Sequence, residues 1–254
     1  MRLPLACLAL ATLSAAAAAQ VPDKFPPDSL VNTKIIPRST PVIQVVGMMR
    51  NISGDLGVRC QFCHVGREGQ PLSRFDFASD EKRTKQVARQ MMLMLQEVNR
   101  RLDTIPGRAT PTPTPTPALQ ATCATCHRGL SRPMPLAVHL VETATASGAD
   151  SAVRSYRALH ARYYGRDAYD FGEPTLNTAA FRLARAGRFD GALALLRLNE
   201  EQYPRSSSVY LSRANISLMR GDTTAAVAAF REVVRRDSTN DEARGRLRAI
   251  GSRP

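Results

Sequence analysis

Two stretches in the first half of the chain carry the period of an amphipathic helix. The first opens at Thr40, a candidate N-cap followed by Pro41 at the first helical position, spaces Val42, Val45, Val46 and Met49 at helical intervals, and ends near Gly54 and Gly57. The second opens at Ser79 or Asp80, aligns Val87, Met91, Met94, Leu95 and Val98 on one face, and stops before Pro106. Beyond it, Pro111 to Pro117 alternate Thr and Pro, a composition that holds extended polyproline II and forms a surface loop. The expected fold class is mainly α.

The last part of the chain repeats itself. Gly187 and Gly221 stand 34 residues apart, and Gly187-Arg-Phe-Asp-Gly-Ala192-Leu-Ala-Leu-Leu196 aligns with Gly221-Asp-Thr-Thr-Ala-Ala226-Val-Ala-Ala-Phe230. Pro204 and Asp237 fall near the two repeat ends, and Gly148-Ala-Asp-Ser-Ala152-Val153 with Tyr156 forms a third, partial copy. This period and the small residue at a fixed offset resemble tetratricopeptide repeats, whose helix pairs stack into a solenoid with a concave face suited to a peptide or another protein. Residues 138–254 are therefore expected to form a short helical solenoid used for docking or self-assembly, the alternative being that they merely pack on the rest of the chain. Arg182, Arg185, Arg213, Arg220, Arg235 and Arg236 make the region basic, which suits an acidic partner or is an ordinary solvated face.

The opposite end reads as a secretory signal over residues 1–19: Met1-Arg2, an apolar stretch from Leu3 to Leu13, then an alanine run ending before Gln20. Cleavage near Ala17 to Ala19 would leave the protein periplasmic or extracellular, with an uncleaved signal anchor as the alternative that Pro4 and the short apolar core disfavour. Elsewhere no apolar run is long enough to span a bilayer, which excludes a multi-pass membrane protein. A length of 254 residues with mean hydropathy −0.24 fits a soluble protein of one or two domains. The net charge is +13, and Arg supplies 31 of the 35 cations. Such a balance points to nucleic acid, an acidic partner or a membrane surface, and export argues against nucleic acid.

Cys7 lies within the apolar part of the signal and is removed with it, leaving four cysteines in an exported chain, where two disulfides are the ordinary expectation. Their neighbours point elsewhere. Cys60-Gln61-Phe62-Cys63-His64 and Cys123-Ala124-Thr125-Cys126-His127 are two complete C-x-x-C-H haem-attachment sequences. Two thiols three positions apart on one helical turn can add to both vinyl groups of one haem, and the next residue, His64 or His127, then reaches the iron as proximal ligand. Disulfides, or one zinc held by both C-x-x-C pairs, are the alternatives, and neither accounts for a His directly after each pair. The expected cofactor is two covalently bound haem c groups.

Each iron needs a sixth ligand, and the other histidines are His139 and His160. Methionine is the better supply, since Met48, Met49, Met91, Met92 and Met94 lie on the two helical stretches that precede the haem motifs. Met49 and Met91 are the candidate axial ligands, core packing being the alternative use of any one Met. From Met49 to His64 is 15 residues and from Met91 to His127 is 36, the second interval holding the Thr-Pro loop. A Met-bearing helix, a connection and C-x-x-C-H thus occur twice.

The stretch Met49-Arg-Asn-Ile-Ser-Gly-Asp-Leu-Gly-Val-Arg-Cys60-Gln-Phe-Cys63-His64-Val is followed by Phe77-Ala-Ser-Asp-Glu-Lys82, by Ala88 to Asn99 with Met91, and by Thr122-Cys123-Ala-Thr-Cys126-His127-Arg128-Gly129. In this order, over about residues 40–136, the chain resembles the photosynthetic reaction-centre cytochrome c subunit family. The resemblance implies two haems with His64 and His127 proximal and with Met49 and Met91 as axial ligands from the helices. Photosynthetic members carry four haems in two such pairs and place a further His ligand between the second helix and its motif. This chain has one pair, and the Thr-Pro tract stands where that His would be. The reading is a two-haem relative serving another electron chain.

The expected organisation is a signal peptide (1–19), a dihaem c-type cytochrome domain (20–137, with the loop at 111–117) and a tetratricopeptide-like helical domain (138–254). With both axial positions filled, the iron has no open site for substrate, which makes the chain an electron carrier between redox partner proteins and not an enzyme. Two alternatives stay open: a peroxidase-like haem enzyme in which one iron lacks its Met, and a scaffold or polymer subunit in which haem stabilises the fold. The basic charge is also compatible with association at a membrane surface, and no nucleic-acid partner is expected.

Overall fold

The computed structural model describes residues 24–105 and 120–251, so the signal segment 1–19 and the Thr-Pro tract 111–117 lie outside the described residues. Ten helices make up the α structure among them, and the one β contact is an isolated bridge between Val65 and Asp76. The fold is thus mainly α, as the periodicity predicts. None of the described helices is long and apolar enough to cross a membrane.

Two compact units divide these residues. One takes the chain up to Gly54 together with Val58–Ala121, and the other takes Asp55–Gly57 together with Thr122–Pro254. The division falls ahead of the second C-x-x-C-H, whereas the sequence reading puts a boundary after residue 137. Little chain separates that motif from the first long C-terminal helix, which starts at Leu136. The Gly129 N–H also donates to the Asp55 carbonyl at 2.8 Å, drawing Asp55–Gly57 into the same unit.

The first unit is built on two helices. α1 (Val42–Leu56) follows Pro41, as expected, and the chain turns out of it at Gly57 with φ of +64°. Short 3₁₀ turns then form at Cys60–Phe62 and Leu72–Arg74. α2 (Arg83–Leu102) begins later than the predicted Ser79 or Asp80. The reason lies in how the intervening polar side chains are used. Asp76 Oδ1 accepts the N–H groups of Ala78 and Ser79 at 2.9 and 2.8 Å, and Ser79 Oγ accepts that of Glu81 at 3.1 Å. Capping chemistry is spent on a turn, which postpones the helix.

The second unit opens with the short helix α3 (Cys123–His127) and continues as helical hairpins: α4 (Leu136–Ser147) with α5 (Ala149–Tyr163), α6 (Glu173–Arg185) with α7 (Phe189–Gln202), and α8 (Ser207–Arg220) with α9 (Thr223–Arg236). α10 (Asp241–Ala249) packs on α9, while α4 packs on α6 and α6 on α8. Gly148, Gly187 and Gly221 sit between the helices of the three hairpins at φ of +85°, +72° and +85°, a region that Gly enters without a Cβ penalty. Caps suited to sequence start the later helices: Ser206 Oγ accepts the Val209 N–H, Asp222 the Ala225 N–H and Asn240 the Ala243 N–H. Leu140, Leu176, Leu183, Leu195 and Leu196 are fully buried in one cluster, and Phe230, Val233 and Leu247 in another. Burial of this kind contributes about 25 cal/mol per Å² and holds the stack together.

Candidate functional site

In the first C-x-x-C-H segment, the N–H groups of Cys63 and His64 donate to the Cys60 carbonyl at 3.2 and 2.9 Å. That closes a tight turn and brings the two thiols onto one side of a short loop. The start of α2 clamps the loop from outside, with Lys82 Nζ donating to the Gln61 carbonyl and Thr84 Oγ1 to the Phe62 carbonyl. Lys85 is buried and donates to three successive carbonyls, those of Phe77, Ala78 and Ser79, at 2.9, 3.0 and 2.7 Å. Its charge is balanced by Asp80 at 3.1 Å, which also pairs with Arg89 at 2.8 Å.

The His64 ring packs edge-on against Phe77 with centroids 4.9 Å apart, and its buried Nδ1 has no hydrogen-bond partner. Burial and the neighbouring Lys85 ammonium lower the His64 pKa below its usual value. The imidazole is therefore neutral at neutral pH, the form that coordinates a metal. Burial raises the Cys63 thiol pKa.

The second segment forms α3. Thr122 precedes it in an extended conformation, and the Thr122 N–H donates to Thr125 Oγ1 at 2.9 Å in a capping box. Cys123 and Cys126 are thus one turn apart on a helix, Cys123 half-buried and Cys126 exposed. Burial, with Asp55 nearby, raises the Cys123 thiol pKa. His127 is buried, and its Nδ1 lies 2.7 Å from the Leu130 carbonyl. Since a carbonyl only accepts, Nδ1 carries the proton and Nε2 keeps its lone pair for a metal.

The four cysteines among the described residues, Cys60, Cys63, Cys123 and Cys126, are free thiols. Among the described residues no group of three or more His, Cys, Asp or Glu forms a metal cluster. His139 and His160 are engaged within the second unit, His139 Nε2 lying 2.8 Å from Ser155 Oγ and His160 stacking on Tyr164 at 4.4 Å. Met49 is half-buried on α1, and Met91 on α2 is 38% exposed. Val87, Met91, Met94 and Val98 form an exposed stripe along α2, the face that the sequence marks as apolar. Ile43 and Met48 are likewise exposed on α1, and Val45 and Phe75 are the buried apolar side chains of the first unit's described residues. A surface helix ordinarily covers such a stripe with its own protein, and an exposed one marks a binding surface.

Sequence reasoning missed three positioning contacts. Lys85 was legible only as one of four lysines in an arginine-rich chain. Asn99 exchanges two hydrogen bonds with the backbone of Ala121, at 3.0 and 2.8 Å, securing the chain ahead of Thr122. The Leu130 carbonyl that orients His127 is a backbone group without a side-chain signal.

Two free thiols followed directly by an imidazole fit a covalently attached haem. Residues 70–160 match the profile of the family described as photosynthetic reaction centre cytochrome c subunit. The matched stretch contains α2 with Met91 and the Cys123–His127 motif, starts after Cys60–His64, and runs past the end of the resemblance read from sequence. The match implies covalently bound haem c and points to haem-based electron transfer with redox partner proteins. No curated protein and no solved structure matches the chain.

Proposed function

We propose that the chain is an exported dihaem c-type cytochrome that carries electrons between redox partner proteins, with C-terminal tetratricopeptide-like hairpins serving protein docking or assembly. Cys60 and Cys63 would hold one haem and Cys123 and Cys126 the other, with His64 and His127, and Met49 and Met91, as the side chains that would ligate iron. When bound, each haem supplies a one-electron couple at its iron. The protein fixes ligands and surroundings. Leu130 holds His127 in the tautomer that presents Nε2, while Lys82 and Thr84 secure the loop that carries Cys60 and Cys63. Arg59 and Arg128 flank the motifs, and their positive charge would disfavour the more oxidised form, weakly because both side chains are exposed to solvent. Methionine ligation acts in the same direction. Two protein ligands to each iron would leave no coordination site for substrate, which favours a carrier over a peroxidase-like enzyme.

The observation that carries this reading is the second motif: a buried His127, directly after two thiols on one helical turn, whose Nδ1 is already taken by Leu130. Two measurements on protein made in a host with c-type haem maturation test it: visible spectra in both oxidation states, and intact mass. Two covalent haems with low-spin spectra are expected. A mature protein without covalent haem overturns the reading, and one high-spin haem puts the enzyme alternative in its place.

A further inference from the structure

Beside the first C-x-x-C-H segment lies a cavity of about 360 Å³ that has Cys60 in its wall. Arg50, Arg59 and Arg67 also line it, together with Glu68. All three arginines are exposed. Arg59 donates to Glu68 at 3.2 Å, both side chains standing about three-quarters in solvent at 77% and 74%. Arg50 and Arg67 have no carboxylate partner among the described residues. Three cations therefore face one carboxylate, a net positive rim around the wall that contains Cys60. Leu72 and Phe75 provide an apolar lining, and the Phe75 ring sits so close to Gly66 that a Cβ there would come within 1.9 Å of it. An apolar centre held in place and ringed by exposed charge is the anatomy of a transient protein interface.

We propose that this rim is the docking surface for an acidic electron-transfer protein, which it seats against the Cys60 edge of the first motif. The proposal rests on the reading that Cys60–His64 carries a haem, and it assigns redox docking to the first unit. Charges so exposed act mainly on encounter, raising the association rate at low salt and losing their effect as the Debye length shrinks. The absence of local partners for Arg50 and Arg67 leaves their charge available to an approaching carboxylate surface. Glu68 opposes the attraction.

The test is calorimetric titration of the full chain with a ferredoxin of net negative charge as probe, at about 0.01 M and about 0.15 M ionic strength. The wild type is expected to bind more weakly at the higher salt. The double variant Arg50→Glu, Arg67→Glu is expected to lose about tenfold or more at low salt and most of its salt dependence, whereas Glu68→Gln tightens binding. The pair Arg182→Glu, Arg185→Glu on α6 is expected to stay within about twofold of wild type. Equal binding by wild type and the Arg50/Arg67 variant, or a loss that follows the α6 pair, overturns the proposal. Circular dichroism checks folding, and if the double variant does not fold, Arg67→Gln and Glu68→Gln must still move affinity in opposite directions. Intact mass on the same samples separates the two claims: a chain without haem defeats the cytochrome reading, while a titration that ignores the rim defeats the docking surface.

Discussion

The Nδ1 of His127 and the carbonyl oxygen of Leu130 lie 2.7 Å apart, and the Leu130 N–H donates back to the His127 carbonyl at 2.8 Å. The turn after the second motif is thereby closed in both directions, and it orients the imidazole without a second side chain. Within it, Arg128 and Gly129 adopt φ of +47° and +82°. The Gly129 N–H is held by Asp55, so the turn is anchored from the end of α1.

The anchor leaves no room for a methyl group at Gly57. A Cβ there would stand 2.1 Å from the Gly129 carbonyl oxygen, and Gly57 also occupies the left-handed region. Gly57→Ala is expected to cost about 1–3 kcal/mol in strain, plus whatever backbone shift relieves the clash. Gly129→Ala, with the same kind of φ and open space around its Cβ, should cost less. Denaturant unfolding of the two variants compares them directly, and equal losses would mean that the close approach contributes nothing.

Removing the Lys85 ammonium strands three carbonyls that it now satisfies. Lys85→Met keeps the length of the side chain and is expected to destabilise the first unit by about 3 kcal/mol. Chemical denaturation followed by circular dichroism measures it. A loss below about 0.5 kcal/mol would show that water replaces the ammonium without penalty.

Asp80 sets the acid response of the same cluster. Arg89, Asn32 and Lys85 hold its carboxyl well below the usual carboxylate range. Its folded pKa is thus depressed against an unfolded value of about 3.9. The stabilisation is present above that value and is lost as pH falls below about 4 toward the folded pKa. Asp80→Asn should therefore be less stable than wild type at neutral pH and show a smaller decline on acidification. Parallel stability curves for the two proteins would contradict this.

The axial assignment has its own readout. Met49→Ala and Met91→Ala should each remove a sulfur-to-iron charge-transfer band from the oxidised spectrum, each affecting one haem of the two. Neighbouring Met48→Ala and Met94→Ala should leave the band in place. A band that survives both principal substitutions moves the sixth ligand elsewhere.

Packing in the hairpins is the part most open to a simple mutational test. Phe230 is fully buried in a cluster that also takes in Ala214 of α8 and Ala243 and Leu247 of α10. Phe230→Ala is expected to cost about 3–5 kcal/mol, read by thermal unfolding.

Much of this architecture was legible before the structure. The periodicity of Val42 to Met49 and of Val87 to Val98 marks α1 and α2, and the glycines at 148, 187 and 221 mark three hairpin turns. What misled was polar chemistry with two uses. Ser79 and Asp80 resemble the start of a helix because helix caps and tight turns employ the same side-chain oxygens. The spacing of the partial repeat also had a cause invisible to pattern matching: the connection from Tyr163 to Glu173 is longer than that from Gln202 to Ser207, and it places the buried residues Ala168 and Phe171 between α5 and α6. The candidate site was legible in its donors, since C-x-x-C-H names its own residues. Its supports were not, because Leu130 acts through its backbone carbonyl and Lys85 through the backbone carbonyls of Phe77, Ala78 and Ser79, groups that leave no side-chain signal.

The membership of Asp55–Gly57 has a consequence for how the chain can be made and cut. These residues belong with Thr122 and everything after it, so the end of α1 gains its hydrogen-bonded neighbour Gly129 only after the second motif has been synthesised. Modularity is correspondingly incomplete. A truncation after residue 121 removes the second C-x-x-C-H along with the hairpins, and one after residue 137 leaves that motif without α4. The C-terminal helices are then no detachable appendage: their loss is expected to unsettle Cys123–His127, and grafting them elsewhere without residues 55–57 would carry an unanchored His127 turn.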